Sequence, residues 1–226
     1  MTRTTNARVA GFTFLIYIAA TMTSMVLLTR ATGAEGVAAQ LAGIARHATD
    51  VRLTIVFGLV GSFCALVLAV TLYSITRVQD PDLAMLALIC RVAEGIAGMN
   101  VSTTLGLLWL ATATDATALD AGAASALGAF FLRMEASFTA SAAFFAVGST
   151  LFSWLLLRGR MIPVALAWLG VLASILPAVL FPLQFAGLLG GPVTSFMWYP
   201  ILLFEEALAL WLIIKGVAAP APRQPA

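Results

Sequence analysis

The chain alternates between long apolar runs and short polar connections. Six runs are about 20 residues or longer, which is the length a helix needs to cross the hydrocarbon core of a bilayer. They cover residues 9–29, 53–76, 83–111, 136–157, 163–185 and 196–216. The pattern predicts an all-α, polytopic transmembrane bundle of six spans in a single domain, residues 1–217.

Two of the connections have helical periodicity of their own. In AEGVAAQLAGIAR, the apolar residues Val37, Leu41 and Ile44 recur at helical spacing, which favours a short helix at the membrane surface. Residues 117–135 have a similar pattern, and a seventh span would result if this segment inserted. The proline-rich end, residues 218–226, has no such periodicity, so we predict a disordered cytoplasmic tail.

Three prolines fall within the last two predicted spans. Pro177 and Pro182 lie in the fifth, and Pro200 lies in the sixth. Each removes a backbone donor, so we expect each to bend its helix.

Composition agrees with a membrane chain whose main partner is the lipid bilayer. Hydrophobic residues make up 62% and charged residues 10%, with a mean hydropathy of +1.03, whereas a soluble domain has about 25% charged residues. The net charge is +2 and no run of basic residues occurs, so nucleic acid is not an expected partner. Cys64 and Cys90 both fall within apolar runs, so no disulfide framework is predicted.

Basic residues near the ends of spans indicate the orientation, because arginine and lysine favour the cytoplasmic side. Seven of them fall on one side of the predicted bundle and three on the other. Both termini are therefore predicted to be cytoplasmic. The larger group comprises Arg3, Arg8, Arg77, Arg158, Arg160, Lys215 and Arg223.

Charged residues also occur inside the spans, where each costs about 2.5–3.5 kcal/mol unless a partner or water compensates it. Arg91 and Glu94 are three residues apart and share a helix face, with Asn100 nearly two turns beyond Glu94. In the sixth span, YPILLFEEALALWLIIK places Glu205 beside Glu206 in an apolar run. These five residues are the candidate ligand-binding or proton-binding site.

The helical rise places these acids near the middle of the membrane. Glu94 lies roughly 16 Å from the start of its span, and Glu205 roughly 14 Å from the start of its own. If the two spans are neighbours, Arg91 would compensate one carboxylate and a proton the other. Glu205 and Glu206 are about 100° apart on a helix, so only one can face such a cluster. A purely structural ion pair is the alternative.

Several chemistries are excluded. His47 is the only histidine, so neither a bis-histidine haem nor a multi-histidine metal site can form. No hydrolase, zinc-protease or nucleotide-binding motif occurs. No catalytic residue, metal or cofactor is therefore predicted.

Four short motifs resemble one family. They are RVAG at Arg8–Gly11, R-x-x-E at Arg91 and Glu94, RMIPVALAWLG at residues 160–170, and a final span from Glu205 through Trp211 and Leu212 to Lys215 and Gly216. Together they resemble the bacterial multi-pass membrane proteins of domain-of-unknown-function family 4386. Members usually have glycine before the last glutamate, where this chain has Phe204 followed by Glu205 and Glu206. Spacing to Trp211 favours Glu205 as the equivalent acid.

That resemblance implies an integral bacterial membrane protein and supplies no activity. We expect the inner membrane as its location. From the residues, we expect a small-solute or proton-linked carrier, or a binder of a lipophilic ligand, with a pocket bordered by Glu94 and Glu205. The alternative is a non-transporting scaffold or regulator that binds another membrane protein or a second copy. An intramembrane enzyme is the weakest hypothesis, because only carboxylates and Arg91 are available as catalytic groups.

Overall fold

The computed structural model describes residues 2–99, 101–113, 120–136, 140–191 and 196–219. Within these ranges the chain is all-helical and contains no strand, as the sequence predicts. The nine helices of the described residues are α1 (Arg3–Thr32), α2 (Val37–Arg46), α3 (Ala48–Thr76), α4 (Pro81–Ala97), α5 (Val101–Thr112), α6 (Ala121–Ala136), α7 (Ala140–Arg158), α8 (Val164–Phe185) and α9 (Tyr199–Ile214).

Five helical stretches in the described part of the chain are long and apolar enough to cross a membrane. They are Arg3–Thr32, Ala48–Thr76, Pro81–Thr112, Ser141–Arg158 and Val164–Phe185. Many of their large apolar side chains face outward, including Phe63 and Leu172, which are 66% and 62% exposed. Such surface is compatible with lipid and not with water. The chain is therefore a membrane protein.

The sixth predicted span corresponds to α9, which is shorter than expected. This helix has 16 residues, Tyr199–Ile214, and its length of about 24 Å is less than the hydrocarbon thickness of about 30 Å. Whether α9 crosses the membrane remains a prediction, as does the location of the termini.

The third predicted span, 83–111, is interrupted. α4 ends at Ala97 and α5 begins at Val101, and the stretch Pro81–Thr112 that contains both is long and apolar enough to cross a membrane. Non-helical backbone at membrane depth is tolerated only where protein or a wet cavity surrounds it. In this case Gly98, Met99 and Val101 line a cavity of about 100 Å³.

Both connections with helical periodicity form helices. α2 buries Ile44 completely and packs Leu41 against the same cluster, as the spacing of its apolar residues predicts. α6 covers Ala121–Ala136, whereas residues 114–119, including the start of the predicted 117–135 segment, lie outside the described residues.

The prolines of the last two spans have different positions. Pro177 and Pro182 lie inside α8, as predicted. Pro200 lies in the first turn of α9, and a bend in the outer half of the sixth span was therefore the wrong expectation. Backbone donors in a first turn have no intrahelical acceptor, so proline costs little there.

The chain divides into two compact units. The first contains residues up to Tyr17, Phe63–Ala97 and the chain from Ala140 onwards. Its core is a single apolar cluster to which α1, α3, α4, α7, α8 and α9 all contribute. Within this unit α4 packs on α7, α7 on α8, and α8 on α9. All side chains of the candidate site described below belong to this unit.

The second unit contains Ile18–Ser62 and residues from Gly98 to the start of α7. Here α5 packs against α2 and α6, around a smaller apolar cluster that includes Ile44 and Leu107. α1 and α3 each contribute residues to both units. The single domain predicted for residues 1–217 remains a prediction.

Glycine ends α9 at the position where the last motif ends. Gly216 adopts a φ of 72°, and its N–H donates to the carbonyl of Trp211 at 3.1 Å. This left-handed conformation is readily available only to glycine and is a common way to end a helix. The predicted tail lies outside the described residues from position 220 onwards.

Candidate functional site

Arg91 and Glu94 form a buried ion pair on one face of α4. Arg91 Nη1 lies 2.9 Å from Glu94 Oε2, and the two side chains are 1% and 4% exposed. The guanidinium N–H bonds do not point along this line, so it is an ion contact without a hydrogen bond. The spacing of three residues placed both groups on this face, as expected.

Side chains from α1 and α7 also contact the pair. Tyr17 of α1 donates a hydrogen bond from its hydroxyl to Glu94 Oε1 at 3.0 Å. Arg91 Nη1 donates to Ser149 Oγ of α7 at 3.4 Å. The Arg91 guanidinium also lies over the ring of Phe145, 4.9 Å from its centroid, at a distance typical of a cation–π contact. Each charge therefore has at least one additional neutral partner.

Glu205 approaches the same arginine from α9. Glu205 and Arg91 line one cavity of about 10 Å³, together with Ser149 and Ser153 of α7. Glu205 is 5% exposed, and its Oε1 makes no hydrogen bond to the described part of the chain. The predicted convergence of Arg91, Glu94 and Glu205 is therefore a feature of the structure.

Two glycines allow α9 to lie close to α1 and α8. A Cβ atom on Gly11 of α1 would lie 2.7 Å from the carbonyl oxygen of Ala209. A Cβ on Gly170 of α8 would collide with the ring of Phe204. Small residues allow helix backbones to approach this closely. The motifs RVAG and RMIPVALAWLG both end on these contact glycines.

The other two predicted site residues do not join the cluster in the described structure. Glu206 is exposed on α9, because the turn of about 100° from Glu205 carries it away from the buried face. Asn100 lies outside the described residues. The site therefore consists of Arg91, Glu94 and Glu205 with their neutral neighbours.

Sequence reasoning missed these neutral neighbours. Tyr17 is in the middle of α1, whereas tyrosine in membrane proteins concentrates near the interfaces, so its position was a usable signal. Ser149 and Ser153 recur at a helical spacing of four on α7, which indicates a polar face. Nothing in the sequence indicated that these faces would meet Arg91.

The size and charge of the site limit its chemistry. A cavity of about 10 Å³ has room for roughly one water molecule. The wider pocket predicted beside Glu94 and Glu205 is therefore absent from this cluster. One cation faces two acidic groups, and no group of three or more histidine, cysteine, aspartate or glutamate side chains in the described residues could hold a metal ion. The arrangement suits transfer of a proton or of one small polar molecule.

Comparison with known proteins agrees with the motifs. No curated protein and no solved structure matches the chain. A family model described as a domain of unknown function, DUF4386, matches residues 9–216. The match includes Gly11, Arg91, Glu94, Gly170 and Glu205, which are the cluster acids, the cluster arginine and the two contact glycines. The chain belongs to the DUF4386 family.

Proposed function

We propose that this protein carries protons across a bacterial inner membrane and that the cluster of Arg91, Glu94 and Glu205 binds and releases one proton in that process. The observation that carries the proposal is the charge count. With both acids ionised, the buried cluster has one positive and two negative charges. One proton makes it neutral, and a neutral cluster is far less costly in a low-dielectric interior.

Contacts in the cluster distinguish its two acids. Glu94 is paired with Arg91 and accepts a hydrogen bond from Tyr17, so its negative charge is compensated on both oxygens. Glu205 has no ion pair among the described residues, and it borders the cavity, whereas Glu94 is not among the residues that line it. Glu205 is therefore the proton-exchanging group in this proposal, and Glu94 and Arg91 set its electrostatic surroundings.

Cavity volume favours a proton over the larger ligands considered from the sequence. A solute or a lipophilic molecule needs a pocket of roughly 300 Å³ or more, whereas the cavity at the cluster measures about 10 Å³. A proton needs only a carboxylate and one bridging water. The hydroxyls of Ser149 and Ser153 line the same space and can both donate to and accept from such a water.

Infrared difference spectroscopy tests whether Glu205 exchanges a proton. The purified protein, reconstituted in lipid, is titrated over the pH range in which it stays folded. We expect one carboxylic C=O stretching band to disappear as the pH rises, and this band should be missing at every pH in Glu205→Gln. Glu206→Gln is the matched control, because it removes the neighbouring exposed carboxylate and should leave the Glu205 band in place.

A second measurement tests proton transport across the membrane. Vesicles that contain the protein and a trapped pH-sensitive dye are given a pH gradient, and the rate of proton entry is compared between wild type, Glu205→Gln and Glu206→Gln. We expect the Glu205 variant alone to fall to the rate of empty vesicles. A folded Glu205→Gln protein with unchanged infrared bands and unchanged proton entry would refute the proposal and leave the cluster as a structural ion pair.

A further inference from the structure

The outward face of α9 is a narrow apolar stripe interrupted by one acid. The exposed residues of this helix are Tyr199, Leu203, Glu206, Leu210 and Ile214. Their spacings of four, three, four and four residues keep them on one side of the helix. The four apolar members are 52% to 70% exposed. The stripe therefore has the apolar character of a lipid-facing or helix-facing surface, with a carboxylate near its centre.

In a membrane-crossing α9, as the sequence predicts, Glu206 would lie too deep in the helix to reach water easily. Seven residues separate it from Tyr199 and eight from Ile214, so it lies roughly 10–12 Å from either end of the helix. Glutamate is too short to extend its charge over that distance, unlike the long basic side chains. A carboxylate at such a position in a membrane helix normally faces a partner group or a wet cavity.

The cluster does not supply that partner. Glu206 is on the side of α9 away from the buried residues Phe204, Glu205 and Leu208. Glu206 has no ion pair among the described residues. Glu205, which is buried, and Glu206, which is exposed, therefore have different surroundings and need separate explanations.

A second copy of the chain offers no matching positive charge. Arg91 lies farther from the ends of its helix than the other described basic residues, and it is buried against Glu94. Every exposed arginine or lysine that the structure describes lies in a connection or within about two turns of a helix end. A second copy in the same membrane would meet Glu206 with its own acid or with apolar side chains.

We propose that the stripe of α9 is a docking surface for a transmembrane helix of a different protein, one that carries a lysine or arginine at mid-membrane depth. Charge complementarity is the argument, because an intramembrane cation compensates Glu206 while the partner's apolar residues pack between Leu203 and Leu210. Pairs of this kind are expected to fix the register of two helices in lipid. The proposal is independent of proton exchange at Glu205.

Site-specific photo-crosslinking in the native membrane tests the proposal. A photoreactive amino acid replaces Leu203 or Leu210 on the stripe, and Leu172 of α8, which is 62% exposed, serves as the matched control on another outward face. We expect the two stripe positions, and not position 172, to form an adduct with one membrane protein whose crosslinked helix has a lysine or arginine near its middle.

Charge exchange then tests the chemistry of the contact. Glu206→Lys should lower the adduct yield at Leu210 about tenfold, and replacement of the partner's basic residue with glutamate should restore it. Glu206→Lys must remain folded, which thermal melting in detergent checks, and Glu206→Gln provides a milder loss of charge. Adducts to lipid alone or to a second copy, or a partner helix without a central basic residue, would overturn the proposal.

Discussion

Tyr17 is the residue whose contribution to the cluster is easiest to isolate. Its hydroxyl donates to Glu94 at 3.0 Å, and a hydrogen bond to a charged group contributes about 1.5–3 kcal/mol. We expect Tyr17→Phe to lower the free energy of unfolding by about that amount, measured by denaturant titration in mixed micelles. The control is Tyr199→Phe, which removes the hydroxyl of a tyrosine that is 63% exposed and should change the stability little.

Arg91 and Glu94 should tolerate substitution to very different extents. Arg91→Met would leave two acids with no cation, and we expect a loss of about 3–5 kcal/mol, as for other broken buried ion pairs. Glu94→Gln would keep an acceptor for Tyr17 and leave Arg91 facing Glu205, so its loss should be smaller. The same unfolding measurement compares them. Equal losses would contradict the assignment of Arg91 as the one cation shared by both acids.

Residue positions on single helices were predictable, and contacts between helices were not. Arg91 and Glu94 share a face because they are three residues apart, which periodicity alone determines. Tyr17 joins them only because its hydroxyl, on α1, reaches Glu94 on α4, and local sequence carries no information about that neighbour. Spacing to Trp211 favoured Glu205 over Glu206 as the family's acid, but only the packing of α9 determined which of the two is buried.

At the scale of the helix, close approach at Gly11 is expected to determine where α9 lies. A Cβ atom there would also lie 2.7 Å from Ile213 Cγ1, and overpacking of this kind typically costs about 1–3 kcal/mol. We expect Gly11→Ala to lower the melting temperature in detergent and to reduce proton exchange at Glu205, because α9 must move outward.

Gly58 provides the matched control for this substitution. A Cβ atom at Gly58 would meet nothing within 4 Å, and glycine inside a helix costs about 1 kcal/mol relative to alanine. Gly58→Ala should therefore leave the melting temperature unchanged or raise it. If both variants melted alike, the close contact between α1 and α9 would not be what positions Glu205.

Comparison of the helix boundaries with the apolar runs shows which parts of the fold hydrophobicity predicts. Runs of apolar residues predicted α1, α3, α7 and α8 to within several residues, because burial in lipid demands long apolar helices. They did not reveal the interruption between Ala97 and Val101, since the run remains apolar on both sides. They also began the sixth span at residue 196, several residues before Pro200, whereas α9 begins at Tyr199 and Pro200 lies in its first turn.

At the scale of the whole molecule, the prediction to test is that the chain crosses the membrane six times. Six crossings require the short helix α9 to span the membrane, with local thinning of the bilayer to match its length. We expect a fluorescent protein fused after Ala226 to be fluorescent and a phosphatase fused there to be inactive, as for a cytoplasmic terminus. An active phosphatase at this position, with the N-terminus inside, would mean that α9 does not cross.

By itself the sequence determined that this protein is an all-helical membrane protein, where most of its apolar helices lie, and which buried charges share a helix face. These properties depend on hydropathy and on the 3.6-residue period, which are local. Tertiary structure alone decided that Glu205 turns inward while Glu206 turns outward, that Tyr17 and Ser149 join Arg91, and that the space beside them has room for one water molecule. Those outcomes depend on how helices rotate and approach one another, and that is set by contacts between residues far apart in the chain.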